Sequence, residues 1–342
     1  MYEFHEVLCI MKRTVSTKTN RLGGVIFLLG LIVFAPPLNA AQLTPLRVAY
    51  SSLSGSISPL WVMTENRIFE KHGLAVTPVF IEGGTRAMAA MLGGDAPIGL
   101  IGGSSPILAR MRGADTVILA GVFNTMPFSL VVLPSINDPK QLTGQKIAIS
   151  TFGSSSDLAA RMAIEHFGLQ PVKEVAILQV GTASSRVSAM ESGAVQGTVV
   201  EFDNLPVIRK FGYRVMLDLS TLGLDYQHLV VASIESYLRS QPRIVDAFMR
   251  AWVEGMKFYL NNKEASKKAI AKYSKIKDNE GLEFIYASYA KIFPRVPYPT
   301  MKGIQTIVAS LRERDPAIKE IPLERFVELS PLKKLESEGF FK

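Results

Sequence analysis

Cysteine is nearly missing from this chain: Cys9 is the single one in 342 residues. It lies upstream of the apolar run Val25–Phe34, where a lipoprotein signal has no use for it. From Ala41 onward there is none, which excludes disulfides, a thiolate metal site and a cysteine nucleophile. Histidine is scarce as well. After Ala41 only His72, His166 and His228 remain, dispersed and without an H-E-x-x-H pair, so no metal or other cofactor is expected. Charge of one sign is never massed. Lys and Arg of the last third stand beside Glu and Asp, without the aromatic interleaving of a base-stacking surface, so nucleic acid is not an expected partner. No apolar run reaches the roughly 18–20 residues that a spanning helix needs.

The N-terminus has the parts of an export signal. Lys12, Arg13, Lys18 and Arg21 precede the run Val25–Phe34, and Pro36, Pro37 and Asn39-Ala40-Ala41 follow it. Residues 1–40 are therefore read as a cleaved signal peptide leading to the periplasm, with Met11 an alternative start and an uncleaved anchor the competing reading. The net charge of +8 falls to +6 when the four basic and two acidic residues before Ala41 are set aside. Such a balance favours anionic small molecules through the overall field.

What is present is a repeat. "LRVAYSS" (46–52) returns as "QKIAIST" (145–151), and "GGTRAMAAMLGGDAPIGLIGG" (83–103) as "GTASSRVSAMESGAVQGTVVEF" (181–202). "FSLVVLPS" (128–135) returns as "QHLVVASI" (227–234), the offset being near 99 residues each time. Each copy alternates strands with helices, which predicts mostly parallel sheets covered on both faces. Ser58 before Pro59 is an expected helix cap, and Ala160, Ala163, Ile164 and Phe167 make an apolar helix stripe. From Pro242 the pattern turns helical, with Ile244, Phe248 and Trp252 at spacing four. Crossings between the copies are predicted near 127–134 and 222–230. The domain division is then 41–128 with 229–342 as the first lobe, including the C-terminal helices, and 129–228 as the second.

The loops after the strands point to a ligand crevice. They carry Ser52, Ser54, Ser56, Thr85, Gly103, Ser104 and Ser105 in the first copy, and Phe152, Ser154, Ser155 and Thr182 in the second. Three readings compete for such serine-rich turns. A hydrolase elbow requires G-x-S-x-G, and neither "TFGSSSD" nor "LSGSISP" supplies it. A phosphate loop requires G-x-x-x-x-G-K-[ST], also missing from both turns. A cradle of free N–H groups and hydroxyls at helix N-termini requires only what is there, although simple capping uses the same residues. The loops of the copies are not symmetric: "GGSSP" (102–106) corresponds to "EFDNLP" (201–206). Glu201 either enters the crevice, favouring a solute with an amine, amidine or hydroxyl donor, or pairs with Arg186. Asp203 or Asn204 is an expected cap, Phe202 a packing residue, and His228 a weaker contact candidate.

The ordered set resembles the solute-binding proteins of ABC importers, in particular the nitrate, sulfonate, taurine and thiamine-pyrimidine-precursor group. "LRVAY", "WVMTENRIFEKHGLAV", "GGTRAMAAMLGGDAPIGLIG" and "SYLRSQPRIVDAFMRAWVEGMKFY" carry the likeness, over about 46–315. The resemblance implies a two-lobed type II periplasmic-binding-protein fold. It also implies a periplasmic monomer that closes on a small polar or anionic solute (sulfonate-, nitrate-, taurine- or pyrimidine-like) by hinge motion, with a membrane permease and ATPase as partners. Enzymes on related scaffolds include a thiamine-pyrimidine synthase with a cysteine-rich segment and a desulfinase with a cysteine nucleophile; the cysteine-free part of this chain disfavours both chemistries. A different enzyme, or a binding module for a sensor, are the alternatives.

Overall fold

The computed structural model describes residues 42–274 and 276–341. The expected signal segment lies outside the described residues. Among the described residues ten strands form two five-stranded sheets. The first uses β1 (Thr44–Tyr50), β2 (Leu74–Phe80), β3 (Ile98–Gly102), β4 (Thr116–Thr125) and β10 (Asp225–Ile234). The second uses β5 (Phe128–Val132), β6 (Lys146–Ile149), β7 (Ala176–Gln179), β8 (Gly197–Glu201) and β9 (Arg214–Asp218). Their orders are β2-β1-β3-β10-β4 and β7-β6-β8-β5-β9. Advancing each label of the first by five gives the second, except that β5 and β10 have exchanged sheets. The 99-residue repeat therefore appears as two like sheets that trade one strand.

Four strands of each sheet run one way. The traded strand runs against both neighbours, β10 against β3 and β4, β5 against β8 and β9. The sheets are thus mixed, with the parallel majority that alternating strands and helices predict. The reversal has a simple cause: a strand arriving straight from the other sheet needs no helical crossover, so it enters antiparallel. Only Met126 and Pro127 separate β4 from β5.

The long C-terminal helices share an apolar core with the first sheet. Trp252 and Phe248 of the Pro242–Asn261 helix, Tyr289 of the Asn279–Ile292 helix, and Val48 and Leu100 of β1 and β3 belong to one buried cluster. Phe69 stacks on Phe248 at 5.5 Å, joining the first copy's helices to the last third. No helix among the described residues is long and apolar enough to cross a membrane. Ser58 does not cap as expected. Ser54 caps a 3-10 turn, Gly55–Ile57, and Ser58 opens the next helix with its Oγ donating to the Gly55 carbonyl.

Candidate ligand cleft

Strand ends and helix starts of both sheets meet around a cleft of about 420 Å³. The first sheet contributes the loop after β1 (Ser51–Ser54), the residues around the β2 end (Phe80, Glu82, Gly83) and Gly102 at the end of β3. The second contributes Ser150 after β6, Gly181 and Thr182 after β7, and Glu201 at the end of β8. This is the place where parallel strands open their C-terminal ends, and helix N-termini face the space.

Of the sequence-predicted residues, Ser52, Ser54, Ser154, Ser155, Thr182 and Glu201 line this cleft. The others do not. Ser56 (0% exposed), Ser104 (0%) and Ser105 (3%) turn into the fold, because the tight 3-10 and helical starts carry them inward. Gly103 packs on the Gln227 carbonyl, leaving no room there for a Cβ. Phe152 is half exposed and outside the lining, but its carbonyl accepts a hydrogen bond from Thr85 Oγ1 at 2.7 Å. Thr85 thus joins the rim of one sheet to the rim of the other. Ser104 Oγ approaches the Gly153 carbonyl in the same way, at 3.3 Å.

The serine turn 150–156 is first of all a cap. Ser154 Oγ accepts from the Asp157 N–H, and the hydroxyls of Ser150, Ser154 and Ser156 lie 2.8–3.0 Å from one another. Thr182 caps the Ala183–Glu191 helix through the Ser185 N–H. Capping and lining coexist in Ser154 and Thr182. Neither Asp203 nor Asn204 caps the Leu205–Lys210 helix by a side-chain hydrogen bond. Asp203 faces the first sheet's loop instead.

The charged floor is assembled from four separate elements. Ser54 Oγ lies 2.8 Å from Glu201 Oε2, 2.9 Å from Asp203 Oδ2 and 2.8 Å from the Tyr289 hydroxyl. The Tyr289 hydroxyl donates to Glu201 Oε2 at 3.0 Å, and the Gly55 N–H donates to Asp203 Oδ2 at 2.7 Å. His228 Nε2 stands 3.9 Å from Glu201 Oε1, between the rings of Phe123 and Phe128. Its Nδ1 is buried without a partner among the described residues. Burial alone would raise the Glu201 carboxyl, but His228 and the hydroxyls of Ser54 and Tyr289 outweigh it and hold the group below its ordinary value. Asp203 goes the other way: burial and the charge of Glu201 push it up to about 7. Tyr289 is raised by burial and by the two carboxylates.

Arg186 does not form the direct ion pair with Glu201 that was the alternative expectation. Fully buried, its Nε, Nη1 and Nη2 donate to Thr198 Oγ1, the Gly181 carbonyl and the Val199 carbonyl. Burial lowers its pKa to about 10, while Glu201 and Glu82 favour its charge from a distance. Sequence reasoning missed Glu82, Tyr289 and the bridging role of Asp203. The Glu82 carboxylate packs directly over Gly181, whose φ of +112° and missing Cβ make that approach possible. Among the described residues no three His, Cys, Asp or Glu side chains come together as a metal site.

The profile of the NMT1/THI5-like family matches residues 55–266, more than half of the chain. The chain belongs to this family. It is 25% identical over 209 residues to the formylaminopyrimidine-binding protein of Halalkalibacterium halodurans, a stretch that is 59% of this chain and 62% of that protein. The chain therefore spans less than two thirds of that relative's length. Among solved structures, the alkanesulfonate-binding protein SsuA from Xanthomonas axonopodis pv. citri, bound to MOPS, is similar with a TM-score of 0.68 at 18% identity. That match covers 86% of this chain and 99% of the other. The desulfurization enzyme DSZB is similar at TM-score 0.64 and 14% identity, over 86% of this chain and 99% of its own. These two establish a shared periplasmic-binding-protein fold, one that carries binding in the first and catalysis in the second.

Proposed function

We propose that this protein is the extracytoplasmic solute-binding component of an ABC-type importer, exported to the periplasm by a cleaved signal. It works as a monomer beside a membrane permease and ATPase. The lobes are residues 41–128 with 229–342, and 129–228, closing on the solute at the two crossings. Its solute is a small polar molecule bearing an amine or amidine donor, of the kind found on amino-substituted nitrogen heterocycles. One observation carries the solute class: the cleft lining offers the carboxylate of Glu201, joined to Asp203 through Ser54, while the adjoining Arg186 has all three nitrogens engaged inside the second lobe. A bare anion would meet the buried Glu201 carboxylate, with the Arg186 guanidinium already held by oxygens of its own lobe. The family membership and the formylaminopyrimidine-binding relative support the same reading.

Enzymatic turnover is the second reading, kept open by the shared fold of DSZB. Against it, the described residues contain no cysteine, and the cleft hydroxyl of Ser54 is bonded to carboxylates and a tyrosine and not to a histidine base. Thermal-shift screening followed by calorimetry tests both. Aminopyrimidines and amidines are expected to bind, and nitrate and alkanesulfonates without an amine to leave the melting curve unchanged. Tighter binding of an amine-free sulfonate sinks the donor reading, and steady conversion of any bound compound sinks the receptor reading.

A further inference from the structure

Four short oxygen–oxygen contacts tie the cleft floor together: Ser54–Glu201, Ser54–Asp203, Ser54–Tyr289 and Tyr289–Glu201, at 2.8, 2.9, 2.8 and 3.0 Å. The two hydroxyls bring two hydrogens. With both carboxylates ionised, at least two of the contacts would set lone pairs against lone pairs. A third hydrogen, placed on Asp203 Oδ2 and donated to Ser54 Oγ, lets Ser54 and Tyr289 both donate to Glu201 Oε2. The nitrogen donors do not remove the need for it: the Gly55 N–H reaches Asp203 Oδ2 and the Asn204 side-chain amide reaches Oδ1, and neither supplies a hydrogen to the four oxygen–oxygen contacts.

We propose that Glu201 and Asp203 hold one proton between them through Ser54 when the loops of the two sheets meet, so that the cleft presents a single negative charge to its solute and binds it with uptake of a proton. Ser54 and Gly55 follow β1 of the first sheet and Tyr289 sits on a helix packed against that sheet, whereas Glu201 and Asp203 end β8 of the second. Separation of the sheets would take the hydroxyl bridge away from the acids and leave both free to ionise in water. The groups that set the balance come from every element around the pair. Tyr289 donates to Glu201, His228 of β10 faces Oε1, and buried Arg186 acts on Glu201 from beneath with Glu82 beyond it. Burial and the neighbouring charge favour the proton on Asp203 and leave Glu201 ionised. Tyr289 lies beyond the stretch that the family profile matches, so the C-terminal helices take part in setting the charge of the cleft. The charge offered to the solute rests on the receptor reading above; the shared proton does not.

Infrared spectroscopy of the full chain through neutral pH tests the proton directly, since a carboxylic C=O absorbs apart from an ionised carboxylate. One carboxylic acid is expected to ionise with a midpoint near 7. The band should vanish in Asp203→Asn and move to a higher midpoint in Tyr289→Phe, where Glu201 loses a donor and the pair keeps its proton more tightly. A wild-type chain with no acid ionising near neutrality overturns the proposal, whatever becomes of the variants. Calorimetry with cytosine and with benzamidine, each in two buffers of different ionisation enthalpy, tests the coupling. Proton uptake that is greatest between the ordinary carboxyl range and pH 7 and fades above it supports the coupling, and binding without uptake in that window overturns it. If neither probe binds while the acid still titrates, the donor-solute reading falls and the shared proton stands.

Discussion

Gly102→Ala tests the proposed closing of the cleft apart from the stability of the fold. Gly102 ends β3, and a Cβ built on it runs into Ser155 Oγ at the start of the second sheet's Ser155–His166 helix. Rotating that hydroxyl away does not clear the site, because the Ser155 Cβ would still stand 3.3 Å from the new methyl. The backbone of Gly102 is not in the left-handed region, so alanine is acceptable to the strand itself. The collision exists only where the two sheets face each other. Overpacking of this kind costs about 1–3 kcal/mol, and under the proposed hinge motion it falls on the closed form alone. Affinity for the solute should therefore drop roughly five- to 150-fold by calorimetry, with the melting temperature of the free protein unchanged. The double variant Gly102→Ala/Ser155→Gly removes the opposing atoms and should recover most of the loss. Wild-type affinity in the single variant, or no recovery in the double, would refute the claim that this contact belongs to solute capture.

Glu201→Gln should weaken an amine or amidine solute by about 1.5–3 kcal/mol, the worth of a charged hydrogen bond, and unchanged affinity would remove the argument for a donor-bearing solute. Thr85→Val deletes the 2.7 Å hydrogen bond to the Phe152 carbonyl at the partly exposed rim. About 1 kcal/mol of affinity should go, seen chiefly as faster release in stopped-flow measurements. Trp252→Ala empties a fully buried position where the C-terminal helices meet the first sheet, and urea unfolding should register a loss of about 3–5 kcal/mol. Asp203, raised from 3.8 to about 7, binds its proton more tightly in the folded chain. Stability should accordingly decline as pH rises through that window, and flatten in Asp203→Asn, in chemical denaturation at stepped pH.

Fold and site were not equally legible. The alternation of strands and helices, the 99-residue offset and the helical last third are written in local periodicity, and Trp252 and Phe248 are buried as their spacing requires. The hydroxyl-rich turns were visible because a strand ending in serine before a helix start is a local pattern. Which of those hydroxyls face the cleft was not. Ser54 and Ser56 are two residues apart in one 3-10 turn, yet the first meets the carboxylates and the second points into the core. Propensity does not distinguish them; the direction of the turn does.

The chain by itself determined the doubling of the sheets and the asymmetry of the third loop, where Gly102 corresponds to Glu201 across the repeat. Only the tertiary structure decided that Ser54 would meet Glu201, Asp203 and Tyr289, at separations of 147, 149 and 235 residues. No local spacing encodes such meetings. They arise because β5 and β10 carry the chain between the sheets and bring two strand ends face to face, while the last helices, packed for their apolar stripe, deliver one hydroxyl to the acids below.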